Sequence, residues 1–96
     1  LEKDINKSIE LLDKASVNGI IDASIFLFYY YIDLYLKNKN QDILEMIYKY
    51  KNLIEINNKF NDNIKNIVEN KIKEIHEREI LISRITSLFF IVSLLS

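Results

Sequence analysis

Ninety-six residues, 49% of them hydrophobic, suit a single domain (1–96) with one hydrophobic core. With no proline and Gly19 as the only glycine, the chain lacks the turn residues that all-β folds need in quantity. A formal net charge of −1 with interspersed signs excludes the basic stripe that nucleic acid requires, and the lack of cysteine excludes disulfides and thiolate chemistry.

The first predicted helix covers about 2–17. Ile5, Ile9, Leu12 and Ala15 or Ser16 recur every three to four positions as one apolar stripe, and Glu10–Lys14 is an i,i+4 ion pair. Asn18-Gly19 then closes the helix, because glycine tolerates the left-handed conformation of a C-terminal cap. The chain opens at Leu1 and not at methionine, so it is expected to be a fragment or a processed product, and no signal peptide is visible. Cytoplasmic and membrane-associated locations both stay open.

Asp22 is expected to cap a second helix over 23–37. Ala23, Phe26, Leu27, Tyr30, Tyr31 and Leu34 form one face, while Ile25, Phe28, Ile32 and Tyr35 cover much of the rest. A helix apolar nearly all round has neighbours on more than one side.

The polar run 37–42 leads into a third helix over 43–56, with Asp42 and Glu45 in the pattern of a capping box. Ile43, Ile47, Tyr50 and Ile54 share a face, and Glu45–Lys49 and Glu55–Lys59 are further candidate pairs. Asn61 or Asp62 is the next cap. A fourth stripe follows in Ile64, Ile67, Val68, Ile72 and Ile75, supported outside by Glu69–Lys73 and Glu74–Arg78. No breaker comes after it. One helix could run to the end, but a bend near 76–79 into a fifth helix over 79–95 is the preferred reading, because a compact domain seldom uses so long a rod.

After Arg84 the chain carries no charge, and the twelve residues from Ile85 to Ser96 are too few to span a membrane. Two readings stay open for 80–96. It is a core helix presenting Leu81, Ile85, Leu88 and Val92, or the start of a transmembrane helix with Arg84 at the interface.

Catalytic candidates are scarce. His76 is the only histidine and stands among charges. It has no second histidine four residues away, and Lys73 sits where a di-iron site needs glutamate. No glycine-rich loop is present to hold phosphate. No catalytic residue, metal ligand or cofactor is therefore assigned, and the chain is not expected to be an enzyme. The aromatic residues Phe28, Tyr29, Tyr30, Tyr31 and Tyr35, with Phe89 and Phe90 in the tail, are the candidate protein interface.

Lys14-Ala15, Asn18-Gly19, Asp22-Ala23, Leu27 and Tyr30-Tyr31 fall at offsets that resemble the Sel1-like branch of the tetratricopeptide-type repeats. Residues 50–62 resemble the joint of such a repeat, without its usual proline. A shift of about 41 residues sets Leu12 on Leu53, Ala23 on Ile64, Leu27 on Val68 and Leu34 on Ile75. The resemblance covers 9–75. It implies a stack of helical hairpins that binds protein and carries no catalytic residue.

The expectation is thus an all-α chain of four or five antiparallel helices, as a hairpin-repeat stack or small bundle. Its expected role is a non-catalytic protein-interaction module, part of a helical-repeat scaffold, with a protein partner and a capacity for self-association. The alternatives are a small helical immunity or inhibitor protein, or a structural subunit anchored in a membrane through 80–96.

Overall fold

The computed structural model describes the backbone of residues 2–95 and the side chains of residues 4–79, together with Ser93 and Leu94. Four helices follow in chain order: α1 (Glu2–Val17), α2 (Ile21–Asn38), α3 (Gln41–Glu55) and α4 (Asp62–Leu95). Among the described residues there is no strand. The fold is all-α.

Each junction has a local cause. At the end of α1 the Gly19 N–H donates to the Ser16 carbonyl and the Ile20 N–H to the Ala15 carbonyl, both at 3.0 Å. Gly19 has a φ of +97°, so this is the six-residue glycine closure that its position implied. Because the closure already positions Ile20, α2 restarts at Ile21. Asp22, expected as the cap, falls inside the first turn, where its charge favours the positive helix end. Ile20 is the N-cap and supplies no side-chain bond.

The turn between α2 and α3 is tighter than the polar run implied. Lys39 takes the left-handed conformation (φ 53°), and its N–H donates to the Tyr35 carbonyl at 2.8 Å. Asn40, and not Asp42, caps α3 by accepting the Asp42 N–H at 2.8 Å. Before α4 the expectation of an asparagine cap holds, since Asn61 Oδ1 accepts the Ile64 N–H at 2.9 Å.

The core is organised around α2, which packs against each of the other three helices. Leu27, Phe28, Ile32 and Tyr35 of α2 meet Ile47, Tyr50 and Ile54 of α3, and Val68 and Ile75 of α4 complete the cluster. Ile9 and Leu12 of α1 pack against it from the other side. Where α1 crosses α2 the contacts are small, and the hydroxyls of Ser16 and Ser24 hydrogen-bond to each other in a buried seam. That pairing satisfies two polar groups that would each be costly to bury alone.

Helix α4 corrects the expected bend. It runs as one element from Asp62 to Leu95, 34 residues or about 50 Å, and the separate fifth helix over 79–95 is not formed. The run has neither glycine nor proline, the usual causes of a break. With it the molecule extends 57 × 36 × 16 Å and has a radius of gyration of 16.9 Å. A compact domain of about 100 residues has a radius near 13 Å, so the chain is long and flat. The face expected from Leu81, Ile85, Leu88 and Val92, and the Arg84 anchor, lie outside the described side chains.

The ion pairs are partly as expected. Glu10–Lys14 (3.7 Å) and Glu74–Arg78 (3.6 Å) form. Lys49 leaves Glu45 for Asp13 of α1 at 2.9 Å, Glu55 takes Lys51 at 2.6 Å, and Lys73 pairs with Glu77 at 3.8 Å. Several of these residues have oppositely charged neighbours in both directions along the helix. For Lys49 the contact across helices wins.

Candidate functional site

The candidate site is a groove on the outer side of the α1–α2 hairpin. Asp4, Ile5, Ser8, Ile9 and Leu12 of α1 line one wall, and Phe26 and Tyr30 of α2 the other. It encloses about 430 Å3. The helical period builds it directly: Ile5, Ile9 and Leu12 are one stripe of α1, and Phe26 and Tyr30 stand one turn apart on α2. Phe26 is 55% exposed and Ile5 52%, and both are large apolar side chains held open to solvent. Single exposed apolar residues are ordinary; here several of them line one shallow concavity with few polar groups, which makes it the candidate site.

A network of fixed polar contacts sits behind the groove, where α1 meets α3. Asp13 Oδ1 accepts hydrogen bonds from Tyr50 Oη at 2.6 Å and from Lys49 Nζ at 2.9 Å. These two donors, the Tyr50 hydroxyl first, hold the Asp13 carboxyl below its ordinary range against a smaller opposing effect of burial. Burial, together with the same carboxylate, pushes the Tyr50 phenol well above its usual value. The Tyr31 ring stacks on Tyr50 with centroids 5.7 Å apart and planes within 7° of parallel, and Tyr30 meets Tyr31 edge-on at 5.2 Å. Burial also raises the Tyr31 phenol, with Tyr30 and Asp13 adding to it. Through the Tyr30–Tyr31 ring contact this network reaches the α2 wall of the groove.

On the opposite side α4 is tied to α2. Tyr35 Oη donates to Glu79 Oε1 at 2.6 Å, and this bond, with burial, raises the Tyr35 phenol. Lys71 Nζ lies 5.2 Å from the Tyr29 ring centre. A second concavity of about 440 Å3 opens at the turn end between Val17, Gly19, Leu53 and Ile56, where Asn57 Nδ2 donates to the Gly19 carbonyl at 2.9 Å.

The aromatic residues expected at an interface therefore divide. Phe28 is fully buried and Tyr35 is 5% exposed, so both belong to the core and neither offers surface. Tyr29, Tyr30 and Tyr31 are half-buried, and Tyr30 alone of these lines the groove. Phe89 and Phe90 lie outside the described side chains. Phe26 and Ile5 belong to apolar stripes expected to pack inward, and both are exposed. The signal for Phe26 was present in its i,i+4 spacing to Asp22 and Tyr30, a polar-to-apolar stripe, but neighbours that are apolar on every side hid it. His76 is exposed.

The chain matches no family model, and no curated protein or solved structure is significantly similar to it. Its function must be argued from its own surface. Among the described residues, no group of three histidine, aspartate or glutamate side chains is placed to hold a metal ion, and no helix is long and apolar enough to cross a membrane.

Proposed function

We propose that this chain is a non-catalytic protein-interaction module of the helical-repeat kind, with the α1–α2 groove as its binding surface. The observation that carries this reading is the exposed Phe26 ring beside Ile5 in a preformed apolar groove. Helical hairpins in a repeat stack contact mainly their neighbours, which makes the assembly long and thin and leaves the outer face of an end hairpin uncovered. The 16 Å thickness and the open outer side of α1–α2 agree with that arrangement. An amphipathic helix fits such a groove, by laying side chains spaced one turn apart against it.

The groove is largely built before a partner arrives. Its walls belong to two helices joined by the glycine closure and the Ser16–Ser24 seam, so little ordering cost falls on binding.

A photo-reactive phenylalanine analogue at position 26, compared with the same analogue at exposed Glu69 on α4, tests the reading. In cells that make the protein, position 26 should give defined cross-linked species that position 69 does not. Equal, diffuse labelling from both positions, or none from position 26, would refute it.

A further inference from the structure

The groove is apolar along its length, and the chain carries a segment of matching chemistry. From Ile85 to Ser96 there is no charged residue, and α4 continues as helix through that stretch to Leu95. Leu94 within it is 72% exposed. Phe90 and Leu94 are four residues apart, one turn of helix, which is the same spacing as Phe26 and Tyr30 along the α2 wall of the groove. Because α4 is a single helix, it holds no turn that would return this end over α1 and α2 of its own copy.

Charge agrees with this pairing. Asp4 lines the groove, Asp22 stands one turn before Phe26, and Asp33 one turn after Tyr30, all three exposed. The nearest charges to the apolar floor on these stripes are thus carboxylates. The residue leading into the uncharged segment is Arg84, a cation. An apolar helix end entered through an arginine complements an apolar groove bordered by aspartates.

We propose that the α1–α2 groove of one copy receives the last part of α4, Ile85–Leu95, from a second copy. The inference rests on the reading of the groove as an interaction surface and names its occupant. Exchange in both directions gives two equivalent contacts and closes on a dimer.

Sedimentation of the full chain from low-micromolar to several-hundred-micromolar concentration tests it, with Phe26→Asp and Leu94→Asp as variants. Both residues are exposed, and circular dichroism confirms that each variant keeps its helix content. The parent should pass from monomer to dimer. Each variant alone should associate about tenfold more weakly or worse, since a charge then enters an apolar contact. An equimolar mixture should recover part of the dimer, because Phe26→Asp keeps a working helix end and Leu94→Asp a working groove. A parent that stays monomeric, a Phe26→Asp variant that dimerises as the parent does, or a mixture that recovers nothing overturns the proposal. If position 26 cross-links a foreign protein while the parent stays monomeric, the self-association is wrong and the broader reading of the groove survives.

Discussion

Replacing Phe28 by alanine is expected to cost about 3–5 kcal/mol of folding stability, among the largest effects of any single truncation in this chain. The ring is fully buried in the middle of α2, among side chains from α3 and α4 that cannot collapse into the space it leaves. Domains of this size are stable by only about 5–15 kcal/mol in total, so the variant should unfold at far lower urea than the parent, followed by loss of helical circular dichroism. A change within about 0.5 kcal/mol of the parent would mean that α2 is not the centre of the core.

The second large effect concerns Asp13. Alanine at this position leaves the Tyr50 hydroxyl buried without its acceptor, which costs about 1–3 kcal/mol, while Lys49 returns to solvent at little expense. Tyr50→Phe removes the donor instead and leaves a carboxylate that still holds Lys49, so its cost should be smaller, about 0.5–1.5 kcal/mol. In a double-mutant cycle the two losses should not add, because they break the same bond. The pH dependence has a definite sign. The folded-state pKa of Asp13 is depressed, so its contribution is fully present above the ordinary aspartate pKa and fades as pH falls through the folded value. Asp13→Asn keeps an acceptor for Tyr50 but does not titrate. The gap in stability between parent and Asp13→Asn should therefore narrow on acidification below the ordinary carboxylate range. A gap that widens in acid would contradict the assignment.

Much of this architecture was legible in the residues. On α3 the stripe Ile43, Ile47, Tyr50 and Ile54 recurs every three to four positions, and three of the four are buried while Ile43 packs against them. On α4, Val68 and Ile75 are likewise where the period put them. Gly19 marked a helix end because few other residues sit readily at positive φ. The reading was weakest on α2, where apolar residues on nearly every side leave no contrast to show which face turns inward. Ala23, Phe26, Leu27 and Tyr30 share one face, yet Ala23 and Leu27 are buried while Phe26 is exposed and Tyr30 half-buried. Phe28, Ile32 and Tyr35 on the rest of the helix are buried like Leu27. Only the placement of α3 and α4 resolves this, and that is tertiary information. Caps failed for a related reason: Asp22 and Asp42 are good cap residues, but turn geometry upstream started each helix before the chain reached them. Lys49 found Asp13 because α1 brings a carboxylate closer than its own helix does.

Two phenylalanines two positions apart on α2 stand in opposite environments. Phe28 lies in the core, and Phe26, held out of it, is the residue proposed to meet a partner. The most direct check is the unfolding free energy of Phe26→Ala in dilute urea titrations, where association plays no part. Stability should stay within about 0.5 kcal/mol of the parent, as for a surface substitution. A loss approaching that of Phe28→Ala would show that the Phe26 ring belongs to the core, and the groove would then have no free aromatic wall to offer.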